Sequence, residues 1–217
     1  MKLKEAIPKI EKIVNIHFKD LYTIDELRDI IIAKGNTGKL LEKIIGLPAG
    51  NTLRDFEDGE LKTNKCDETG KPLETMFISQ ISNRFDELLN KELEFKDSWI
   101  YQKIQRLLYV PVVKVDKDPN NWYFLKTVFV DIAKNHEIYQ QLKLDFNLIK
   151  EKVINDVNSG DRFIHTSSGK YIQIRTKDAK PYNPIYSELL NREVSNKNFA
   201  FYFKKDFIKK INPITNE

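Results

Sequence analysis

Tyr109 to Val115 is apolar at nearly every position, and a strand of that composition has to be buried. Such a strand needs a sheet around it and other elements to cover that sheet. Further strands are expected around Glu60, at Leu73–Ile81, at Trp122–Val130 with a break, at Tyr171–Arg175 and at Phe199–Phe203. Helices alternate with them. Leu3, Ile7, Ile10, Ile13, Val14, His17 and Phe18 recur at helical spacing over 2–20. Thr23 and Glu26 form a capping box that opens a helix to about Ala33. Lys39–Ile45, Asn83–Leu93, Ser98–Leu108 and Lys205–Ile211 also read as helical. The longest helix runs from Lys134 to Val157, with Ile138, Leu142, Phe146, Ile149, Val153 and Val157 as its stripe and Asn158-Ser159-Gly160 as its stop. Thr176–Val194, with Pro181 and Pro184, reads as irregular. The fold class expected is α/β or α+β, a central sheet flanked by helices.

With 217 residues, 41% of them hydrophobic, the chain can bury one sizeable core, and no repeat or linker divides it. We therefore expect a single domain over 1–217. Cys66 is the sole cysteine, which excludes an intramolecular disulfide and a Cys-type zinc site. His17, His136 and His165 lie too far apart in sequence to suggest a metal cluster. No apolar run is long enough for a membrane span and no signal-peptide core follows the start, so a cytoplasmic location is expected. The net charge is only +4, but Lys170–Lys210 holds ten basic residues against four acidic ones, a surplus of six. That quarter is the natural face for a polyanion, although a solubilising surface has the same composition.

Asp55-Phe56-Glu57-Asp58-Gly59-Glu60-Leu61-Lys62-Thr63 is the stretch with the most chemistry. On a strand, Glu60 and Lys62 share one face and Leu61 points to the core. Asp55 can fold back beside Glu60. Two carboxylates and the Leu61 carbonyl suit a hard cation such as Mg²⁺, which takes oxygen ligands and keeps waters. Lys62 could then orient a water beside a phosphate, the arrangement that metal-assisted phosphodiester hydrolysis requires. With 31% of the chain charged, an ion-paired strand edge is the better account of these nine residues on their own.

The wider sequence resembles the MutH family, which comprises the GATC-specific nicking endonuclease of methyl-directed mismatch repair and related GATC restriction endonucleases. Lys34-Gly35-Asn36-Thr37-Gly38-Lys39-Leu40-Leu41-Glu42 is similar to the family's turn and helix, continued by Gly46 and Ala49-Gly50. Asp55-Phe56 and Gly59–Thr63 match its catalytic segment, and Asp67–Phe77 the strand that follows. Trp99–Pro111, Tyr171–Lys177 and Phe201–Lys205 complete an ordered series that spans residues 34–211.

The resemblance implies a restriction-endonuclease-like fold, with N-terminal helices over 1–33, a catalytic core over 34–130 and a DNA-recognition part over 131–217. It implies Glu42, Asp55, Glu60, Lys62 and Lys103 as the catalytic set. Asp55, Glu60 and the Leu61 carbonyl would bind Mg²⁺, with Glu42 at a second ion. Arg175 and Lys177 fall on the DNA-reading strand, suited to guanine O6 and N7. Tyr202 falls where the target adenine and its methylation are sensed, although alternation with Phe201 and Phe203 also fits core packing. Lys34 and Lys204 fall among DNA contacts. Two departures stand out. The Asp55–Glu60 gap is shorter than in the mismatch-repair enzyme and resembles monomeric restriction enzymes that cut CC-x-GG sites. Thr176 replaces a proline between Arg175 and Lys177.

The expectation is a Mg²⁺-dependent double-stranded DNA endonuclease of type II restriction character, cutting at GATC by direct attack of water. The alternatives are the mismatch-repair nickase, a CC-x-GG-type enzyme, and a catalytically silent DNA-binding module. The partners implied are DNA, a cognate methyltransferase or a mismatch-repair activator, with the chain a monomer or a DNA-induced dimer.

Overall fold

A computed structural model describes residues 1–32, 36–48 and 52–212. In chain order come helices α1 (Leu3–Glu11), α2 (Ile24–Ile32) and α3 (Asn36–Ile45), then strands β1 (Glu60–Cys66) and β2 (Met76–Gln80). Helices α4 (Phe85–Leu89) and α5 (Trp99–Ile104) precede strands β3 (Arg106–Val113), β4 (Tyr123–Phe124) and β5 (Val128–Asp131). Helix α6 (His136–Asn158) is followed by β6 (Ser167–Ser168), β7 (Ile172–Thr176), β8 (Ile185–Ser187), β9 (Arg192–Ser195), β10 (Phe199–Phe203) and helix α7 (Lys205–Ile211). The class is α+β, as expected. Two compact units form: Met1–Glu74 with Lys103–Lys134 and the residues from Ile208, and Thr75–Gln102 with Asn135–Phe207.

In the first unit β3 is the middle strand of a mixed sheet. It pairs in parallel with β1, from Glu60↔Leu107 to Cys66↔Val113. Its other edge pairs antiparallel with β5 and then β4. With both edges occupied, β3 is buried from Leu107 to Val113. Leu108, Val110 and Val112 pack in one apolar cluster with Leu3, Ala6, Ile10, Leu27, Leu41 and Ile45 from α1–α3. Phe18 closes this core against Phe124, ring centroids 4.7 Å apart.

In the second unit β10 is an inner strand of the antiparallel sheet β2-β10-β7-β6, and all five of its residues are buried. The six expected stripe positions of α6 are buried too. Phe146 of α6 stacks on Phe201 of β10 at 6.3 Å, with Trp99 edge-on to Phe201 at 6.1 Å. The buried face of α6 also carries charges, and each is tied to backbone. Lys150 Nζ donates to Lys91 O (2.8 Å) and Leu93 O (2.7 Å). The Asp145 carboxylate accepts from Lys170 N (2.9 Å), Tyr171 N and Ile172 N (3.0 Å), which fixes the β6–β7 turn.

Several boundaries differ from expectation, each for a tertiary reason. The first helix stops at Glu11 because Asn15 takes a left-handed φ of 58° and the next residues pair with the β4 region, Asn15 N to Phe124 O at 2.8 Å. Helix α4 ends at Leu89, where the carbonyls after it turn toward Lys150. Leu107 and Leu108, read at helical spacing, belong to β3 because they pair with β1. The stretch 176–194 read as irregular contains β8 and the start of the β8–β9 hairpin, anchored by Ser187 Oγ and Leu189 N on the Asp86 carboxylate.

The Asp145 carboxylate is the acceptor for three amides of the β6–β7 turn. Asp145→Ala leaves three amides without their acceptor and should destabilise by about 3 kcal/mol or more. That lowers Tm by roughly 6–12 °C for a chain of this length. Gly169→Ala should do the same, because a Cβ there overlaps the Asp145 carboxyl group. Thermal unfolding of both variants checks this.

Candidate active site

Strand β1 begins immediately after a tight turn. Phe56 N donates to Gly59 O at 2.9 Å, and the Phe56 ring is buried in the core. Alternation along the strand then sets Leu61 inward and leaves Glu60 and Lys62 on one face. Glu60 is only 2% exposed, so its carboxylate needs compensation. Lys62 Nζ lies 2.7 Å from Glu60 Oε1, and Lys103 Nζ, from α5, lies 2.8 Å from the same oxygen. Asp55 folds back as expected. Its amide donates to Glu60 Oε2 at 3.3 Å, and its Oδ2 accepts from Leu61 N at 2.9 Å.

Glu42 projects from α3 toward this cluster. Burial holds its carboxyl above the usual range, and the charges of Asp55 and Glu60 push it further. Asp55 is raised in the same way, first by burial and then by Glu60, against the pull of Lys62, the Leu61 amide and Lys103. Three carboxylates lie close together here, and the ammonium groups of Lys39, Lys62 and Lys103 offset only part of the burial and repulsion that raise Glu42 and Asp55, so the cluster favours a further positive charge. Its donors are all hard oxygens. Among the described residues no three His, Cys, Asp or Glu side chains form a ready cage. Mg²⁺ does not require one, since it binds through one or two carboxylates and keeps several waters. The donor set therefore fits Mg²⁺ at Asp55 and Glu60.

The structure brings Glu42, Asp55, Glu60, Lys62 and Lys103 into one electrostatic cluster within the first unit. It also supplies a contact that the sequence reading missed: Lys103 Nζ donates to Leu53 O at 2.6 Å. A carbonyl leaves no mark in residue type, so nothing in the sequence signals it.

The second unit holds the other expected residues except Lys34, which lies outside the described residues. On β7 and β10 the Arg175 guanidinium sits 4.4 Å from the Tyr202 ring centroid. Lys177 Nζ sits 3.9 Å from the ring of Phe77, and Phe77 meets Tyr202 edge-on at 5.7 Å. Burial raises the Tyr202 phenol, with Arg175 opposing the shift. Arg175 and Lys177 are exposed, so two cations lie over two rings on one sheet face. Phe77 was not singled out as a site residue, although it ends the Asp67–Phe77 motif. Lys204 differs from its neighbours: its Nζ donates to Gly169 O at 2.8 Å, which ties it to the β6–β7 turn.

Comparison with known proteins adds a family. The family model described as "DNA mismatch repair enzyme MutH" matches residues 47–145. The chain is 30% identical over 171 residues to the DNA mismatch repair protein MutH of Pectobacterium atrosepticum, an alignment covering 73% of this chain and 70% of the relative. A Shewanella protein of the same name is 39% identical over 89 residues, 39% of this chain and 38% of the relative. The protein of that name from Haemophilus influenzae is 26% identical over 219 residues, 96% of this chain and 93% of the relative.

The raised carboxyls carry a stability prediction. The ordinary values are 3.8 for Asp55 and 4.5 for Glu42, and both groups lie higher in the folded protein. Between the unfolded and folded values the folded state binds more protons, so this contribution to stability falls as pH rises. Asp55→Asn and Glu42→Gln should therefore raise Tm at pH 7–8, by about 2–4 °C for each kcal/mol of charge burial and repulsion relieved. The gain should vanish as pH falls to the ordinary carboxyl values. Calorimetry across pH checks the trend.

Proposed function

We propose that this chain, which belongs to the MutH family, is a Mg²⁺-dependent endonuclease that hydrolyses double-stranded DNA at GATC in the manner of a type II restriction enzyme. The observation that carries the reading is the meeting of Lys62, Lys103 and Asp55 on the buried Glu60 carboxylate. Asp55, Glu60, the Leu61 carbonyl and Glu42 are the oxygen donors for one or two cations. When bound, Mg²⁺ supplies Lewis-acid polarisation of the phosphate and lowers the pKa of water.

The remaining chemistry is the chain's own. Water attacks phosphorus, one P–O ester bond breaks, and the leaving oxygen takes up a proton. Lys62 holds the attacking water beside the phosphate. Lys103 balances the charge that develops on the phosphate oxygens. The three carboxylates disfavour an incoming phosphate, so the cation and both lysines are needed together. Arg175 and Lys177 are assigned to base readout, Tyr202 to the target adenine and its methylation, and Lys34 and Lys204 to further DNA contacts. Residues 1–217 are taken as one cytoplasmic endonuclease domain. Among the described residues no helix is long and apolar enough to cross a membrane.

A second reading has its own support: the relatives named above are all DNA mismatch repair proteins. It makes the chain a strand-directed nickase that awaits an activator. The shorter Asp55–Glu60 gap favours restriction.

Incubation with unmethylated, hemimethylated and fully methylated plasmid in Mg²⁺, with the ends sequenced, tests both. Linear product cut at GATC in unmethylated DNA is the expected outcome. Lys62→Ala should slow it by roughly 10²–10⁴-fold. Weak nicking of unmethylated and hemimethylated DNA alone assigns the repair role. Cutting elsewhere keeps the chemistry and removes GATC. Tight binding without cleavage under any condition leaves a DNA-binding module.

A further inference from the structure

The turn between Asp55 and Glu60 is held from its far side by groups outside the charged cluster. Asp58 Oδ1 accepts from Leu3 N, the first amide of α1, at 2.8 Å. Asp58 Oδ2 lies 3.5 Å from an Arg106 guanidinium nitrogen at the start of β3, and Arg106 Nε lies 3.4 Å from Asp131 Oδ2 at the end of β5. The first amides of a helix have no partner within it. The residue in the N-cap position is Lys2, whose side chain has no acceptor to offer. Asp58 supplies that acceptor from 55 residues away, and its negative charge suits the positive end of α1.

Gly59 is fitted into the same junction. A Cβ there would stand 2.5 Å from Leu3 Cδ1 and 2.7 Å from Arg106 O, so the turn is pressed between α1 and the first residue of β3. Glu57 N also donates to Met1 O at 3.2 Å. The next residue of β3, Leu107, is the register partner of Glu60. The same short stretch is therefore fastened to α1 and β3 on one side and presents Asp55 and Glu60 on the other. The Asp55–Glu60 contact of 3.3 Å depends on where this turn sits.

We propose that Asp58 is a positioning residue of the active site: by joining the first amide of α1 to Arg106 of β3, it holds Asp55 and Glu60 at the separation at which they share one divalent cation. Asp58 touches neither the cation nor the DNA and acts through the turn. The proposal rests on the metal-dependent reading of the cluster.

The test is Mn²⁺ binding to the full chain by isothermal titration calorimetry, without DNA, for wild type, Asp58→Ala, Asp58→Asn and Asp145→Ala. Tm is recorded for each, and cleavage kinetics are run in parallel. Removing a group that orients a metal ligand weakens metal affinity by about 10–100-fold. Asp58→Ala should weaken Mn²⁺ by about 10-fold or more, lower kcat at limiting metal, leave KM for DNA unchanged, and recover with excess metal. Asp58→Asn, which keeps the acceptor for Leu3 N, should retain affinity within about 3-fold of wild type by the same reasoning. Asp145→Ala loses stability in the second unit and should keep wild-type affinity. Wild-type affinity in Asp58→Ala overturns the proposal while the functional reading stands. So does an equal loss in Asp58→Ala and Asp145→Ala, which makes the effect general destabilisation. Should Asp58→Ala not fold, a loss of affinity in folded Asp58→Asn as large as 10-fold counts against the role of the Leu3 bond. Absence of Mn²⁺ binding and of cleavage in wild type removes the metal-dependent reading itself, and the proposal with it.

Discussion

A carboxylate buried as deeply as that of Glu60 is costly to leave unpartnered, and the surrounding structure is arranged to partner it. Two ammonium groups meet one of its oxygens, from Lys62 on the same strand and Lys103 on α5. The second oxygen takes the Asp55 amide. Lys103 reaches on to Leu53 O, so one lysine joins the helix, the strand and the segment before the turn. Asp55, Lys62 and Lys103 are thus each already engaged with Glu60. The fixed geometry comes from mutual charge, not from shape alone.

Opposing that attraction are the burial and, after it, the mutual repulsion that raise Asp55 and Glu42. A site chosen for stability would not gather three carboxylates in one half-buried place. This one does, and the tension is of the kind found where function overrides the stability optimum. The cost is carried by the apolar cluster beneath, where Phe56 and Leu61 anchor the turn and the strand beside α1–α3. In the second unit the same principle takes a neutral form. Asp145 and Lys150 lie inside the packed face of α6 because backbone amides and carbonyls satisfy them. They tie loops whose own sequences would not order them.

Much of this was legible in residue order. The Glu60-Leu61-Lys62 alternation implied one acidic-basic face over an apolar residue, and the strand has that form. The α6 stripe, the Thr23–Glu26 capping box and the apolar run within β3 followed from period and composition. Short elements were misread where local pattern and pairing disagreed. Leu107 and Leu108 fit a helical period equally well, and only the partner strand β1 decides between the two. Val14 and His17 likewise left the helical register to bridge toward β4.

Sequence by itself determined the alternation of helix and strand, the acidic and basic character of the Asp55–Lys62 segment and the family, because residue type and spacing record periodicity and side-chain chemistry directly. Tertiary structure alone decided that Lys103 shares an oxygen of Glu60 with Lys62, and that Phe77 completes the pair of rings under Arg175 and Lys177. It also decided that Asp58 caps a helix 55 residues away. These contacts join residues far apart in the chain through charged side chains, backbone groups and ring faces. Such groups are common to many residues, so their pairing is set by packing and leaves no local signature.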